Sequence, residues 1–179
     1  MKDEIRNKMM QKRNNLSFCE VQSLSNKIFE NLKPILNKYN KFFVYVSFSK
    51  EVDTKKIINY LLDYNKEVYV PKIENKNMFA IKIDNQTEFR QNKFNIFEPV
   101  NCCFEKDFDN FVCLTPCLAT DLFGNRIGYC GGYYDKFLSN KNSLNVALCY
   151  SFQILPKIES EIYDIKMDKI ITENEVINI

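Results

Sequence analysis

Short runs of aromatic and β-branched residues alternate along this sequence with stretches of helical spacing, and that alternation limits the fold more than any other feature. Residues 41–48 (KFFVYVSF), 67–73 (EVYVPKI), 78–83 (MFAIKI), 111–116 (FVCLTP), 144–150 (LNVALCY) and 168–173 (DKIITE) read as strands. Residues 2–14 are helical in composition. Ser17 and Glu20 have the S-x-x-E spacing of a capping box, with Val21, Leu24, Ile28, Leu32 and Ile35 following at helical spacing. Pro34 is expected to kink or end that helix. Asp53 and Thr54 offer N-caps to a further helix whose apolar face is Ile57, Ile58, Leu61 and Leu62, and another helix spans 133–139. Residues 84–110 read as polar and broken. The pattern predicts one α/β domain over residues 1–179, with a mostly parallel sheet and helices on both faces.

Composition excludes several classes of function. The 25 basic and 23 acidic side chains leave a net charge of +2, too little to hold nucleic acid by a broad field. The charged opening, MKDEIRNKMMQKRNN, has no apolar core like that of a signal peptide, and no apolar run approaches the roughly 18 residues of a membrane span. An odd count of seven cysteines suits reduced thiols and a cytoplasmic protein. Cys113 and Cys117 read as buried small side chains, and the Cys102–Cys103 pair does not read as half a zinc site. The basic stretches at 11–13 and 55–56 read as solvated helix faces. Histidine is absent, which removes Ser-His and Cys-His nucleophiles and every imidazole ligand.

All four glycines, Gly124, Gly128, Gly131 and Gly132, fall within the string GNRIGYCGGYYD at 124–135. The string lies between strand 111–116 and the helix at 133, where ligands sit in α/β sheets. Glycine lets backbone amides approach a phosphate closely. Arg126 adds a planar charged fork, Asp135 a hard oxygen ligand for Mg²⁺, and Tyr133 and Tyr134 rings for stacking. Those parts suit a nucleoside triphosphate and its metal. Taken alone, G-x-x-G-G is also an ordinary glycine turn, and it matches neither the P-loop nor the dinucleotide fingerprint.

The longer string RIGYCGGYYDKFL, preceded by TPCLATDLFGN, resembles the signature of the 5-formyltetrahydrofolate cyclo-ligases, or 5,10-methenyltetrahydrofolate synthetases. KDEIR (2–6), SKEVDT (49–54), VYVPK (68–72), IFEP (96–99) and YDIKMDKIITE (163–173) resemble further family segments in the same order. The resemblance implies a three-layer α/β/α domain of the NagB/RpiA/CoA-transferase-like kind. It implies a cytoplasmic, monomeric enzyme that cyclises 5-formyltetrahydrofolate with ATP and Mg²⁺ and has no nucleic-acid or membrane partner. By matching motif, Lys2, Arg6, Arg126 and the loop Ile127, Gly128, Tyr129, Cys130, Gly131, Gly132, Tyr133 and Tyr134 are expected to bind ATP. Phe48, Glu51, Asp53, Tyr129 and Tyr133 are expected to bind the folate. Asp135 and Asp164 are expected at the metal, and Arg126, Tyr133 and Asp135 in catalysis. Asp53 is also a natural helix cap. Cys130 replaces a family glycine, and Asn95 stands where glycine is common but tolerates left-handed backbone. The alternative in another class is a nucleotide- or folate-binding module that has lost turnover, and a further one is an ATP-dependent ligase for a different pterin or amide.

Overall fold

Alternating residues of the central strands face opposite layers, and this divides the core in two. The computed structural model describes residues 2–92, 95–100, 103–105, 108–129 and 131–179. Cys102 and Cys130 lie outside the described residues. Helices α1 (Lys2–Asn14) and α2 (Phe18–Lys38) come first. Ser17 caps α2 reciprocally: its hydroxyl accepts from the Glu20 amide at 3.2 Å, and Glu20 accepts from the Ser17 amide at 2.7 Å. Pro34 does not end α2, which runs on to Lys38. Ile28, Leu32, Ile35 and Leu36 are buried around the proline. Burial at about 1.5–3 kcal/mol per large side chain outweighs the roughly 3 kcal/mol that an interior proline costs.

The chain continues through β1 (Lys41–Val44), α3 (Lys55–Asp63), β2 (Glu67–Glu74) and β3 (Asn77–Ile83). The region read as broken holds a small hairpin, β4 (Phe89–Gln91) and β5 (Phe97–Pro99). Then come β6 (Phe111–Pro116), β7 (Ala119–Asp121), β8 (Arg126–Ile127) and α4 (Tyr133–Leu138). The last elements are β9 (Ser143–Leu148), β10 (Ile154–Leu155), β11 (Lys169–Ile171) and β12 (Val176–Asn178).

Seven strands form the main sheet in the order β12-β11-β9-β6-β1-β2-β3. Pairings from β11 to β2 are parallel, and antiparallel β12 and β3 close the edges. Phe42 and Val44 point to the face covered by α2 and α3, packing with Leu32, Ile57 and Leu61. Phe43 points to the other face, where its ring stacks on Phe137 at 4.5 Å. That second layer is thin: α4, irregular chain and a three-stranded sheet, β10-β7-β8, against which Met9 of α1 packs. The α/β fold with its mostly parallel sheet is as expected, although one helical layer is reduced to a single short helix.

From β1 the chain builds outward to β2 and β3 on one side and to β6, β9 and β11 on the other. The carboxyl ends of β1 and β6 therefore part, as they do where open α/β sheets bind ligands. The ladder expected over 41–48 stops at Val44 because Tyr45, Val46 and Phe48 leave the sheet to line that opening.

Left-handed backbone is needed at more places than glycine fills, which it does at Gly124, Gly131 and Gly132. Asn65, Asn75, Asn95, Asn110 and Asn140 adopt it, with φ between 50° and 66°. Asparagine tolerates this region better than most residues. Asn95, at φ 60°, is in the conformation expected of it.

Candidate active site

A cleft of about 1330 Å³ opens at the parted strand ends. It is lined by α1, the segment after β1, the β2–β3 hairpin, β5, the glycine loop, α4 and residues 161–164. Every expected site residue that is described lines it except one: Asp53 faces a separate shallow surface groove. Its carboxylate accepts from the Lys55 amide at 2.9 Å, so its role is to cap α3. Thr54, the residue at the cap position, instead turns its hydroxyl to the Tyr45 carbonyl at 2.7 Å.

One end of the cleft gathers charge. Arg126 follows the turn after β7, and its side chain is only 5% exposed. Its guanidinium donates to Asp135 at 3.1 Å, and its carbon lies 5.5 Å from the centre of the Tyr134 ring. Among the described residues its buried Nε has no partner. A side chain at Gly128 would come within 3.3 Å of this guanidinium, so the missing side chain leaves room for it. Gly131 and Gly132 lead into α4 at φ 87° and 58°. A Cβ on Gly131 would meet the Tyr133 ring at 2.8 Å.

Lys2 and Arg6 reach the same end from α1. Lys2 pairs with Asp164 at 3.0 Å and Glu161 at 2.9 Å, and Arg6 donates to the Gly128 carbonyl at 3.0 Å. Burial works against the ionised Asp164, but the Glu161 amide and Lys2 together hold its carboxyl below the ordinary value. Asp135 accepts from the Ile165 amide at 3.1 Å, which brings it beside Asp164. Among the described residues no group of three or more carboxylates and thiols forms a ready-made metal cage. Two neighbouring carboxylates nevertheless suit Mg²⁺, which takes one or two from a protein and its other ligands from phosphates and water.

The other end is aromatic and apolar. Ile73, Met78, Ile96 and Phe97 line it, with the Phe48 and Tyr129 rings 5.2 Å apart. Glu51 sits here, 4% exposed, accepting from the Phe48 amide at 3.0 Å. Burial pushes its carboxyl up to about 7, against the opposing pull of the Phe48 amide, Arg13 and the Tyr129 hydroxyl. The Tyr150 hydroxyl donates to the Glu51 carbonyl at 3.0 Å and that of Tyr45 to the Val52 carbonyl at 2.9 Å, fixing the backbone that follows the carboxylate's Cα.

Arg13 corrects the reading of residues 11–13 as a solvated face: it is 3% exposed and donates to the Tyr129 hydroxyl. The signal was present, because Lys2, Arg6, Met9 and Arg13 are spaced four, three and four apart along one helix face. The expected burial of Cys113 and Cys117 holds.

A polar end beside an apolar one, at the switch point of a parallel sheet, defines an α/β enzyme with a two-part small-molecule site. The chain belongs to the 5-formyltetrahydrofolate cyclo-ligase family, whose model matches residues 1–173. It is similar to the 5-formyltetrahydrofolate cyclo-ligase of Haemophilus influenzae, at 32% identity over 134 residues covering 69% of this chain and 71% of that one. The Escherichia coli enzyme of the same name is 29% identical over 146 residues, covering 74% and 78%. Among solved structures, a 5,10-methenyltetrahydrofolate synthetase of Aquifex aeolicus superposes with a TM-score of 0.86 at 33% identity, covering 99% of this chain and 92% of that one. The synthetase of Mycoplasma pneumoniae shares the fold, with a TM-score of 0.75 at 23% identity and coverage of 96% and 98%.

Proposed function

We propose that this cyclo-ligase converts 5-formyltetrahydrofolate into 5,10-methenyltetrahydrofolate by letting ATP phosphorylate the formyl oxygen. The N5-formyl group is an amide, whose oxygen is a very poor leaving group. Transfer of the γ-phosphoryl group to that oxygen releases ADP and leaves an imidate phosphate with an electrophilic carbon. N10 of the same molecule attacks that carbon, the five-membered ring closes, phosphate departs with the oxygen, and N10 gives up its proton. Because the nucleophile is internal, orientation is worth up to about 7–11 kcal/mol without protein help.

The protein's task is then phosphoryl positioning and charge neutralisation. Lys2, Arg6, Arg126 and the amides of the glycine loop hold the triphosphate. Asp135 and Asp164 hold Mg²⁺, which when bound supplies further neutralisation of the phosphates. Phe48, Tyr129 and Tyr133 pack on the folate, and the Glu51 carboxylate accepts from the pterin's adjacent N3–H and 2-amino donors. Histidine is not required.

The observation that carries this reading is the convergence of residues from both ends of the sequence on one cleft with a charged and an aromatic end. Purified protein given 5-formyltetrahydrofolate, ATP and Mg²⁺ is expected to form the near-UV chromophore of the methenyl product, and omission of ATP or Mg²⁺ to abolish it. Binding of ATP without product would overturn the reading and leave a nucleotide- and folate-binding module.

A further inference from the structure

Glu51 is a buried carboxylate in an apolar half of the cleft, and an ionised carboxylate placed there is costly unless it is compensated. Its titratable neighbours are mostly tyrosines. Tyr45 after β1, Tyr129 in the glycine loop, Tyr134 on α4 and Tyr150 after β9 all interact with it. Burial raises the phenol pKa of each, so they stay neutral in the working range. Among the described residues the cation acting on Glu51 is Arg13.

Arg13 is an unusual residue to bury. Its guanidinium donates to the Tyr129 hydroxyl and lies 5.2 Å from the centre of that ring, and among the described residues its Nε has no partner. No carboxylate forms a direct ion pair with it among the described residues, so its charge is not consumed by a structural salt bridge. It shares α1 with Lys2 and Arg6, which stand at the charged end of the cleft.

We propose that Arg13 is a positioning residue for the folate: it fixes Tyr129, to whose hydroxyl it donates and over whose ring it lies, and it sets a buried cation behind the Glu51 carboxylate. The inference rests on the folate reading of this half of the cleft. A pterin presents N3–H and its 2-amino group as two adjacent donors, which an ionised carboxylate accepts together and a protonated one does not. With its carboxyl at about 7, Glu51 is poised so that loss of the Arg13 charge would leave it mostly neutral at pH 7. Helix α1 would then serve both substrates, the nucleotide through its first two turns and the folate through its last.

The test is the pH dependence of 5-formyltetrahydrofolate affinity, measured by titration calorimetry and so independent of turnover. In the parent, the dissociation constant is expected to rise as pH falls through about 7. Glu51→Gln should remove that limb and bind weakly at every pH. Arg13→Gln should move the limb upward by about one pH unit or more, weakening binding about fivefold or more at pH 7, while ATP affinity stays within about twofold. Arg13→Lys should keep the limb within about half a unit, because the charge persists. It should still weaken folate binding several-fold, because an ammonium has no planar fork to hold Tyr129.

An unmoved limb in a folded Arg13→Gln protein, or a limb surviving in Glu51→Gln, overturns the inference. Should Arg13→Gln fail to fold, Arg13→Lys decides: folate affinity equal to the parent's overturns it. A parent that forms product but shows an unmoved limb in the variant refutes the role of Arg13 alone, whereas a parent that binds no folate refutes the substrate reading itself.

Discussion

Lys2 and Asp164, 162 positions apart in sequence, meet at 3.0 Å on the wall of the cleft. Arg126 and Asp135 form a second pair at 3.1 Å. Two of the three cations proposed for the nucleotide's phosphates are therefore already matched to a carboxylate proposed for its metal, while Arg6 pairs with Asp3. Under the proposed reading, a magnesium nucleotide would exchange partners within this group without uncovering a new charge.

Arg126→Ala and Asp135→Ala are each expected to lower kcat by roughly 100-fold or more, the scale seen when a charge-stabilising group is removed. Initial rates at saturating ATP and folate check this. Near-parental rates in both variants would show that the chemistry lies elsewhere in the cleft.

Lys2→Met separates nucleotide binding from stability. The side chains of Lys2 and Asp164 are each 27% exposed. Such partly solvated pairs contribute about 0–1 kcal/mol, so the melting temperature should change little. The KM for ATP should rise about tenfold with kcat less affected, the loss of one charge-assisted contact to phosphate. A large fall in melting temperature with unchanged KM would contradict it.

Glu51 makes stability depend on pH in a defined direction. Its carboxyl is raised from 4.5 to about 7 in the folded protein. The native state thus holds more protons than the unfolded chain between those values, and stability falls as pH rises through them. Below about 4.5 both states are protonated and the cost vanishes. Glu51→Gln should be more stable than the parent at pH 8, by on the order of 1–3 kcal/mol, and no more stable at pH 4. Urea titrations at the two pH values check this, and an equal difference at both would refute it.

Gly131 and Gly132 share left-handed backbone but not surroundings. An alanine Cβ at Gly131 would strike the Tyr133 ring, whereas at Gly132 it meets nothing within 4 Å. Gly132→Ala should cost only the strain of a left-handed alanine, about 1–2 kcal/mol of stability. Gly131→Ala should also displace Tyr133 and raise the folate KM by tenfold or more. Equal KM values in the two variants would mean that Tyr133 does not touch the folate.

Much of this architecture was legible because several local signals agreed. Helix α1, the Ser17–Glu20 cap, and strands β2, β3 and β6 follow from spacing and residue type within a few positions. Pro34 misled because the burial that holds α2 together comes from distant strands, which local propensity does not register. Hairpin β4–β5 escaped because three-residue strands are too short to show a period. Family motifs pointed to the cleft residues, but Asp53 shows where motif and geometry part, since a helix-capping carboxylate and a ligand-binding one look the same in sequence. Arg13 was hidden by its basic neighbours, Lys12 being exposed while Arg13 turns inward.

The asparagines that take left-handed turns have a further consequence. Asn75 and Asn95 both stand on the rim of the cleft. Asparagine is among the thermolabile residues that heat-adapted proteins avoid. Hydrolysis of either amide would place a fresh negative charge at the entrance through which an anionic substrate passes.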